Sequence, residues 1–161
     1  MSRRPDEGGH GSESALTLHP DFGYVIGVGA LSVLYPFVLG GQVGGQRKKA
    51  KVPYPFMYAS QAECSEDKNK LTFNCYQRAH QNYLENYPGF LFLLISAGLE
   101  HPQTAAAAGL VWLFGRWRYA TNYQKGDPSK RNGNGAAVHY LALFTLLGLA
   151  GKTALVHALR L

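Results

Sequence analysis

FGYVIGVGALSVLYPFVLGGQVGGQ, Phe22 to Gln46, contains no Lys, Arg, Asp or Glu. A helix of about 20 mostly apolar residues spans a bilayer, and this run is long enough. Three more charge-free runs follow: Asn86 to Leu99, His101 to Gly115, and Asn132 to Gly151. The first and fourth qualify as spans outright. The second and third qualify if their helices extend into amphipathic ends, over Phe73 to Leu99 and Pro102 to about Tyr123. The competing reading is a soluble bundle of unusually apolar helices. Core helices of soluble bundles keep a charged face, and these runs lack one. The pattern predicts an all-α integral membrane four-helix bundle with up-down connections.

The average composition hides this. The chain has 161 residues, 46% hydrophobic and 16% charged, with a mean hydropathy of −0.16. That length suits one domain. The charged fraction is well below the roughly 25% usual for soluble domains. Sixteen Lys and Arg against ten Asp and Glu give a net charge of +6. Twelve of the sixteen fall in two places. Arg47, Lys48, Lys49, Lys51, Lys68, Lys70 and Arg78 surround the first connection; Arg116, Arg118, Lys125, Lys130 and Arg131 surround the third. The second connection, Glu100-His101-Pro102, has none. In a four-span chain the first and third connections share a side, and positive charge marks it as cytoplasmic. Both termini then face the lumen. Tyr54, Phe56, Tyr58, Tyr119 and Tyr123 gather at the same interface as an aromatic belt.

Residues 1–18 are rich in Gly, Ser and charge and are expected to be a disordered tail. Residues 19–161 form a single four-span domain, whose first span reads as a retained signal anchor. The segment Arg47 to Thr72 is expected to be a long ordered loop, extended through Lys51-Val52-Pro53-Tyr54-Pro55. Pro102 suits the first turn of a helix, and Asp127-Pro128-Ser129 reads as a turn. Gly23 and Gly27, Gly40 and Gly44, and Gly41 and Gly45 have the spacing that permits close helix approach in lipid. Cys64 and Cys75 have neither a disulfide framework nor zinc spacing, and read as ordinary reduced thiols. His139 and His157 on the last span read as packing residues, and no metal site is expected.

One polar cluster exceeds what packing needs. Arg78, Asn82 and Glu85 stand at i, i+4 and i+7 of the second span, on one face. Glu85 lies roughly 10 Å along the helix from Arg78. If Arg78 marks the boundary, Glu85 is in the bilayer, where ionisable groups face protein or a water-filled cavity. Arg116, Tyr119 and Tyr123 share a face of the third span. The two helices run antiparallel, so both polar faces reach the basic side at one depth. A structural network locking helices together is the bland alternative. Several cations imply an anionic ligand, which arginine holds in two-pronged fashion. One buried carboxylate suits an ammonium group. A small zwitterion with more than one carboxylate fits both, and apolar helices suit a lipophilic second substrate.

The motifs Arg47-Lys48-Lys49, Lys51-Val52, Tyr54-Pro55, Phe73-Asn74-Cys75, Gln77-Arg78-Ala79-His80-Gln81-Asn82, Leu84-Glu85, Tyr87-Pro88, Gly115-Arg116, Tyr119, Tyr123 and Pro128-Ser129-Lys130-Arg131 together resemble the MAPEG family, the membrane-associated proteins in eicosanoid and glutathione metabolism. The resemblance covers about residues 20–160. It implies a homotrimer with glutathione, as co-substrate, bound between neighbouring subunits near the cytosolic face. By position, Arg47, Arg78, His80, Asn82, Glu85, Tyr119 and Tyr123 resemble glutathione contacts. His80 stands where leukotriene-forming relatives have Gln, and Asn86 where they have Tyr. Arg131, with Lys130 as the alternative, resembles the thiol activator. Lys48 resembles a basic residue that assists the electrophile. The implied activity is glutathione transfer to lipophilic electrophiles, with reduction of lipid hydroperoxides and leukotriene-C synthase-like chemistry beside it. The rival role is a non-catalytic lipid-binding or lipid-presenting protein of the same fold. The implied location is the endoplasmic reticulum, with the mitochondrial outer membrane or a plastid envelope open. Nucleic acid is not an expected partner.

Overall fold

A computed structural model describes residues 18–159. It contains five α-helices: α1 Phe22–Ala50, α2 Gln61–Glu66, α3 Lys68–Gly98, α4 Pro102–Tyr123 and α5 Val138–Leu159, with one 3-10 turn at Pro128–Lys130. Among the described residues there is no strand, as the all-α reading requires. The tail expected at residues 1–18 lies, but for its last residue, outside them.

Helix boundaries depart from the charge pattern in three places, each for a local reason. α1 continues through Arg47, Lys48 and Lys49 and ends where Lys51 turns left-handed (φ 53°). Basic residues favour a helix C-terminus, where the dipole is negative. The first connection is therefore shorter than Arg47 to Thr72. It holds α2, closed by a reciprocal Ser60–Glu63 capping box. Lys70 and Ser60 together pull the Glu63 carboxyl down to a pKa of about 2. Val52 to Phe56 is not uniformly extended: the Phe56 amide donates to the Pro53 carbonyl at 3.2 Å, closing a turn. α3 starts at Lys68, ahead of Phe73, because the Asp67 side chain caps it by accepting from the Asn69 amide. α5 starts at Val138, later than the run beginning at Asn132. Asn134 and Gly135 have φ of 50° and 81°, which a helix does not accommodate. Pro102 opens α4 as expected.

α3 and α4 pack on each other, and each packs on both α1 and α5. Phe90 of α3 stacks on Trp112 of α4 at 3.7 Å and 5°. The close approaches fall at Gly98, Gly109 and Gly115. An added Cβ would lie 2.7 Å from Val25, 2.8 Å from Val28 and 2.6 Å from the His139 amide nitrogen, respectively. At Gly23, Gly27, Gly41, Gly44 and Gly45 it would meet nothing within 4 Å, and at Gly40 only the His80 ring at 3.8 Å, so these spaced glycines do not mark close helix approaches within the subunit. His139 is buried as expected; His157 is exposed and pairs with Glu100 at 2.9 Å, so it does not pack.

α1 and α5 are long and apolar enough to cross a membrane, yet only 28% and 22% of their most apolar stretches are buried in the subunit. Ile26, Leu34, Phe37, Phe144 and Leu147 point outward. The core helix of a soluble bundle would be mostly buried, so this observation speaks against the soluble reading. α3 and α4, at 31 and 22 residues, reach about 46 and 33 Å.

Pro36 lies inside α1 and has no N–H to give the Ser32 carbonyl four residues back. The Tyr83 hydroxyl of α3 donates to that carbonyl at 2.8 Å. Ser32 and Tyr83 are both fully buried. In hydrocarbon such a carbonyl would otherwise cost several kcal/mol. Tyr83→Phe is expected to lower stability by about 1–3 kcal/mol. In a Pro36→Ala background, residue 36 supplies its own donor and the same change should cost under about 1 kcal/mol. Unfolding in detergent micelles measures both, and equal costs would contradict the assignment. Gly115→Ala should cost about 1–3 kcal/mol in the same assay, because its methyl would strike the backbone at the start of α5.

Candidate functional site

α3 carries the first half of the site. Arg78 donates two hydrogen bonds to Glu85, at 2.6 and 3.1 Å. The Asn82 amide donates to Glu85 at 3.5 Å. Residues seven apart lie two turns along one stripe, so the ion pair follows from helical spacing alone.

α4 brings the second half. Arg116 is 2% exposed and donates to Asn82 Oδ1 at 2.8 Å. Its guanidinium lies 4.7 Å over the Tyr119 ring, with Tyr83 and Trp112 each at 5.8 Å. Its Nε has no hydrogen-bond partner among the described residues. The aromatic faces hold the cation by their quadrupoles. The expected convergence of the two polar faces is thus realised as one chain, Arg116 to Asn82 to Glu85 to Arg78. Sequence reasoning put Arg116 on the Tyr119 face without giving it a role in the site. The structure makes it the side chain that joins the two helices. Tyr123 continues the face, 5.8 Å from Tyr119.

The connection after α4 carries the third group. Asn122 donates to the Gly133 carbonyl at 2.7 Å, and Arg118 to the Asn134 carbonyl at 3.0 Å. These bonds pin the segment that bears Arg131. Arg131 itself is exposed, donates to the Pro128 carbonyl at 2.9 Å, and lies within electrostatic reach of Tyr119. Lys130 is drawn instead to Asp127, at 3.2 Å. Hydrogen bonds from Ser129, and then that pairing, hold the Asp127 carboxyl below its ordinary range. Neither basic residue lies on α5, whose first residue is Val138.

Three of the residues singled out by sequence lie apart. His80 sits two positions from Arg78, about 200° around the helix. It lines a groove against α1 with Pro36, Phe37, Gly40, Gly41 and Leu84. Arg47 is buried and donates to the Phe56 carbonyl at 2.7 Å, between the Tyr54 and Phe73 rings. It clamps the first connection onto α3. Lys48 is exposed on the last turn of α1. Two residues that sequence reasoning did not place in the site belong near it. Tyr58, from the first connection, donates its hydroxyl to Gln81, and Arg78, Glu85 and Tyr123 act on it electrostatically. Burial holds the Tyr58 pKa above its ordinary value, against the Arg78 charge. Cys64 is half-buried and Cys75 buried, both free. Burial pushes the Cys64 thiol up, which suits an unreactive thiol.

Arg78 and Arg116 outnumber Glu85, so the network favours an anion. The single carboxylate leaves room for one cationic group.

The MAPEG family model matches residues 25–152. The chain is 35% identical to human microsomal glutathione S-transferase 2 over 111 residues, 68% of this chain and 69% of that one. It is 33% identical to the bovine protein of the same name over an equal span. It is 28% identical to the mouse protein over 132 residues, 81% of this chain and 83% of that one. On its motifs alone the chain is expected to resemble microsomal glutathione S-transferase 3; these relatives carry the type 2 name instead. The matched span takes in α3 and α4 whole, most of α1 and α5, and both halves of the polar network. The chain belongs to the MAPEG family.

Proposed function

We propose that the protein is a membrane glutathione transferase. The observation that carries this reading is the Arg78–Glu85 pair, whose side chains are 38% and 44% exposed. An ion pair this accessible contributes little to stability, so it is poorly explained as glue between helices. It is well explained as the resting state of a zwitterion site. The γ-glutamyl end of glutathione carries a carboxylate beside an ammonium. The carboxylate replaces Glu85 at Arg78, and the ammonium replaces Arg78 at Glu85. Asn82, oriented by Arg116, supplies a neutral partner between them, and Tyr119 and Tyr123 line the approach. The relatives named as glutathione transferases support the same ligand.

Arg131 is the proposed thiol activator. The thiolate is the nucleophile, and a nearby guanidinium favours it over the thiol. Lys130 is the alternative; its pairing with Asp127 favours Arg131. Lys48 is the proposed assistant to the electrophile. A lipophilic electrophile or lipid hydroperoxide reaches the thiolate from the bilayer. The groove of Leu31, Leu34, Tyr35, Val38, Phe114 and Trp117 between α1 and α4 suits such a substrate. Four spans with cytosolic basic connections and lumenal termini, in the endoplasmic reticulum, complete the reading.

His80 faces away from Arg78 in the same subunit. A site that uses both needs two copies, one giving its Arg78 face and the next its His80 face. The homotrimer implied by the family resemblance meets that need, with Arg47 on the loop side of the second copy.

The Lys130→Ala, Arg131→Ala double variant is expected to keep glutathione affinity within about threefold, lose the thiolate ultraviolet absorbance and turn over roughly 10- to 100-fold more slowly at neutral pH, as the thiol returns toward its ordinary pKa. Undiminished turnover would overturn the assignment. Arg78→Ala and His80→Ala chains should each be impaired alone. Co-expressed, they should recover about a quarter of wild-type activity, the share of interfaces with two intact faces under random mixing. No recovery would exclude a site shared between copies.

A further inference from the structure

The segment before α2 is fixed on both sides of Tyr58. Arg47 holds the Phe56 carbonyl at 2.7 Å. The Asn74 carboxamide grips Ala59 from both sides, accepting from its amide and donating to its carbonyl, each at 2.9 Å. Asn74, Arg78, Gln81 and Glu85 recur at four, three and four residues, so they form one stripe of α3. Asn74 and Gln81 are about 10 Å apart along it. The Tyr58 backbone therefore sits at the level of Asn74, while its hydroxyl donates to the Gln81 side-chain carbonyl. The phenol runs along the stripe and crosses Arg78 on the way, and Arg78, Glu85 and Tyr123 all act on it.

This contact is more than the loop needs. Asn74 and Arg47 already anchor the segment through its backbone. The hydroxyl is a third contact, set over the exposed ion pair. We propose that Tyr58 is a ligand-binding residue whose hydroxyl shares with Arg78 the carboxylate at the γ-glutamyl end of glutathione. The inference rests on the glutathione reading above. Without a carboxylate at Arg78 the hydroxyl would keep Gln81 as its partner, the contact the structure shows. A carboxylate arriving at Arg78 offers a charged acceptor beside it. An O–H···O⁻ bond is stronger than one to a neutral amide, so the donor transfers. Gln81 keeps the phenol aligned until then.

The test is equilibrium binding to detergent-purified full-length protein. The probes are glutathione and 4-aminobutanoyl-cysteinyl-glycine, which keeps the amine, thiol and glycine carboxylate but lacks the α-carboxylate. Tyr58→Phe should weaken glutathione roughly 10- to 150-fold, the range for one hydrogen bond to a charged group. It should leave binding of the analogue as in wild type. Gln81→Leu removes the resting partner and leaves both backbone anchors, so glutathione binding should hold or tighten. Equal weakening of both probes by Tyr58→Phe, no weakening, or a loss in Gln81→Leu matching that in Tyr58→Phe would each overturn the proposal. If the analogue binds either protein too weakly to titrate, the Gln81→Leu comparison decides alone. Wild-type protein that binds no glutathione would overturn the transferase reading itself. Wild-type binding with an indifferent Tyr58→Phe would overturn only this step.

Discussion

The hydrogen bond from Arg116 to Asn82 is the contact on which the rest of the site depends. A guanidinium buried to 2% exposure must find partners without water. Three aromatic rings and one carboxamide supply them. The bond fixes the register of α4 against α3. It also turns the Asn82 amide toward Glu85, which completes the line to Arg78. Removing Arg116 would leave Asn82 free to rotate and would separate the two halves of the polar face. The arginine thus serves the fold and the chemistry through one bond.

The same constraint acts deeper in the subunit. Pro36 frees a carbonyl within an apolar helix, and Tyr83 answers it. Tyr83 also packs edge-on to Tyr35 and stacks with Tyr87, so the aromatic core is built around a polar obligation. Gly115 lets α4 approach the start of α5 at backbone distance. That approach, with Asn122 and Arg118, sets where the Arg131 segment lies. The site is therefore assembled by three helix contacts, each specified by a residue whose size or polarity leaves no substitute of equal fit.

The outward faces of α1 and α5 follow a different logic. They are apolar without being buried in the subunit, which suits lipid or a neighbouring copy. Gly23, Gly27, Gly41, Gly44 and Gly45 of α1 belong to this category, since nothing in their own subunit comes within 4 Å of where a Cβ would stand. His80 looks onto the same side. The face of α3 toward α4 carries both a buried contact, Arg116 to Asn82, and the accessible Arg78–Glu85 pair; toward α1, Tyr83 is closed on Ser32 while His80 lines an open groove.

Much of this was legible in the residues. Absent charge marked the long helices, because a bilayer penalises charge wherever it occurs along a span. Helical spacing put Arg78, Asn82 and Glu85 on one face, because 3.6 residues per turn is a local rule. Pro102 opened α4 for the same kind of reason. Helix ends were less legible. Charge does not stop a helix; a left-handed Lys51, an Asp67 cap and the Asn134-Gly135 turn do. Only the tertiary structure decided what met what. It gave Arg116 its role, committed Arg47 to a loop carbonyl, turned His80 away from Arg78 and laid Tyr58 over the ion pair. Those outcomes depend on how helices rotate against one another and where a loop is anchored. Periodicity fixes which residues share a face, but packing chooses the neighbour that face will have.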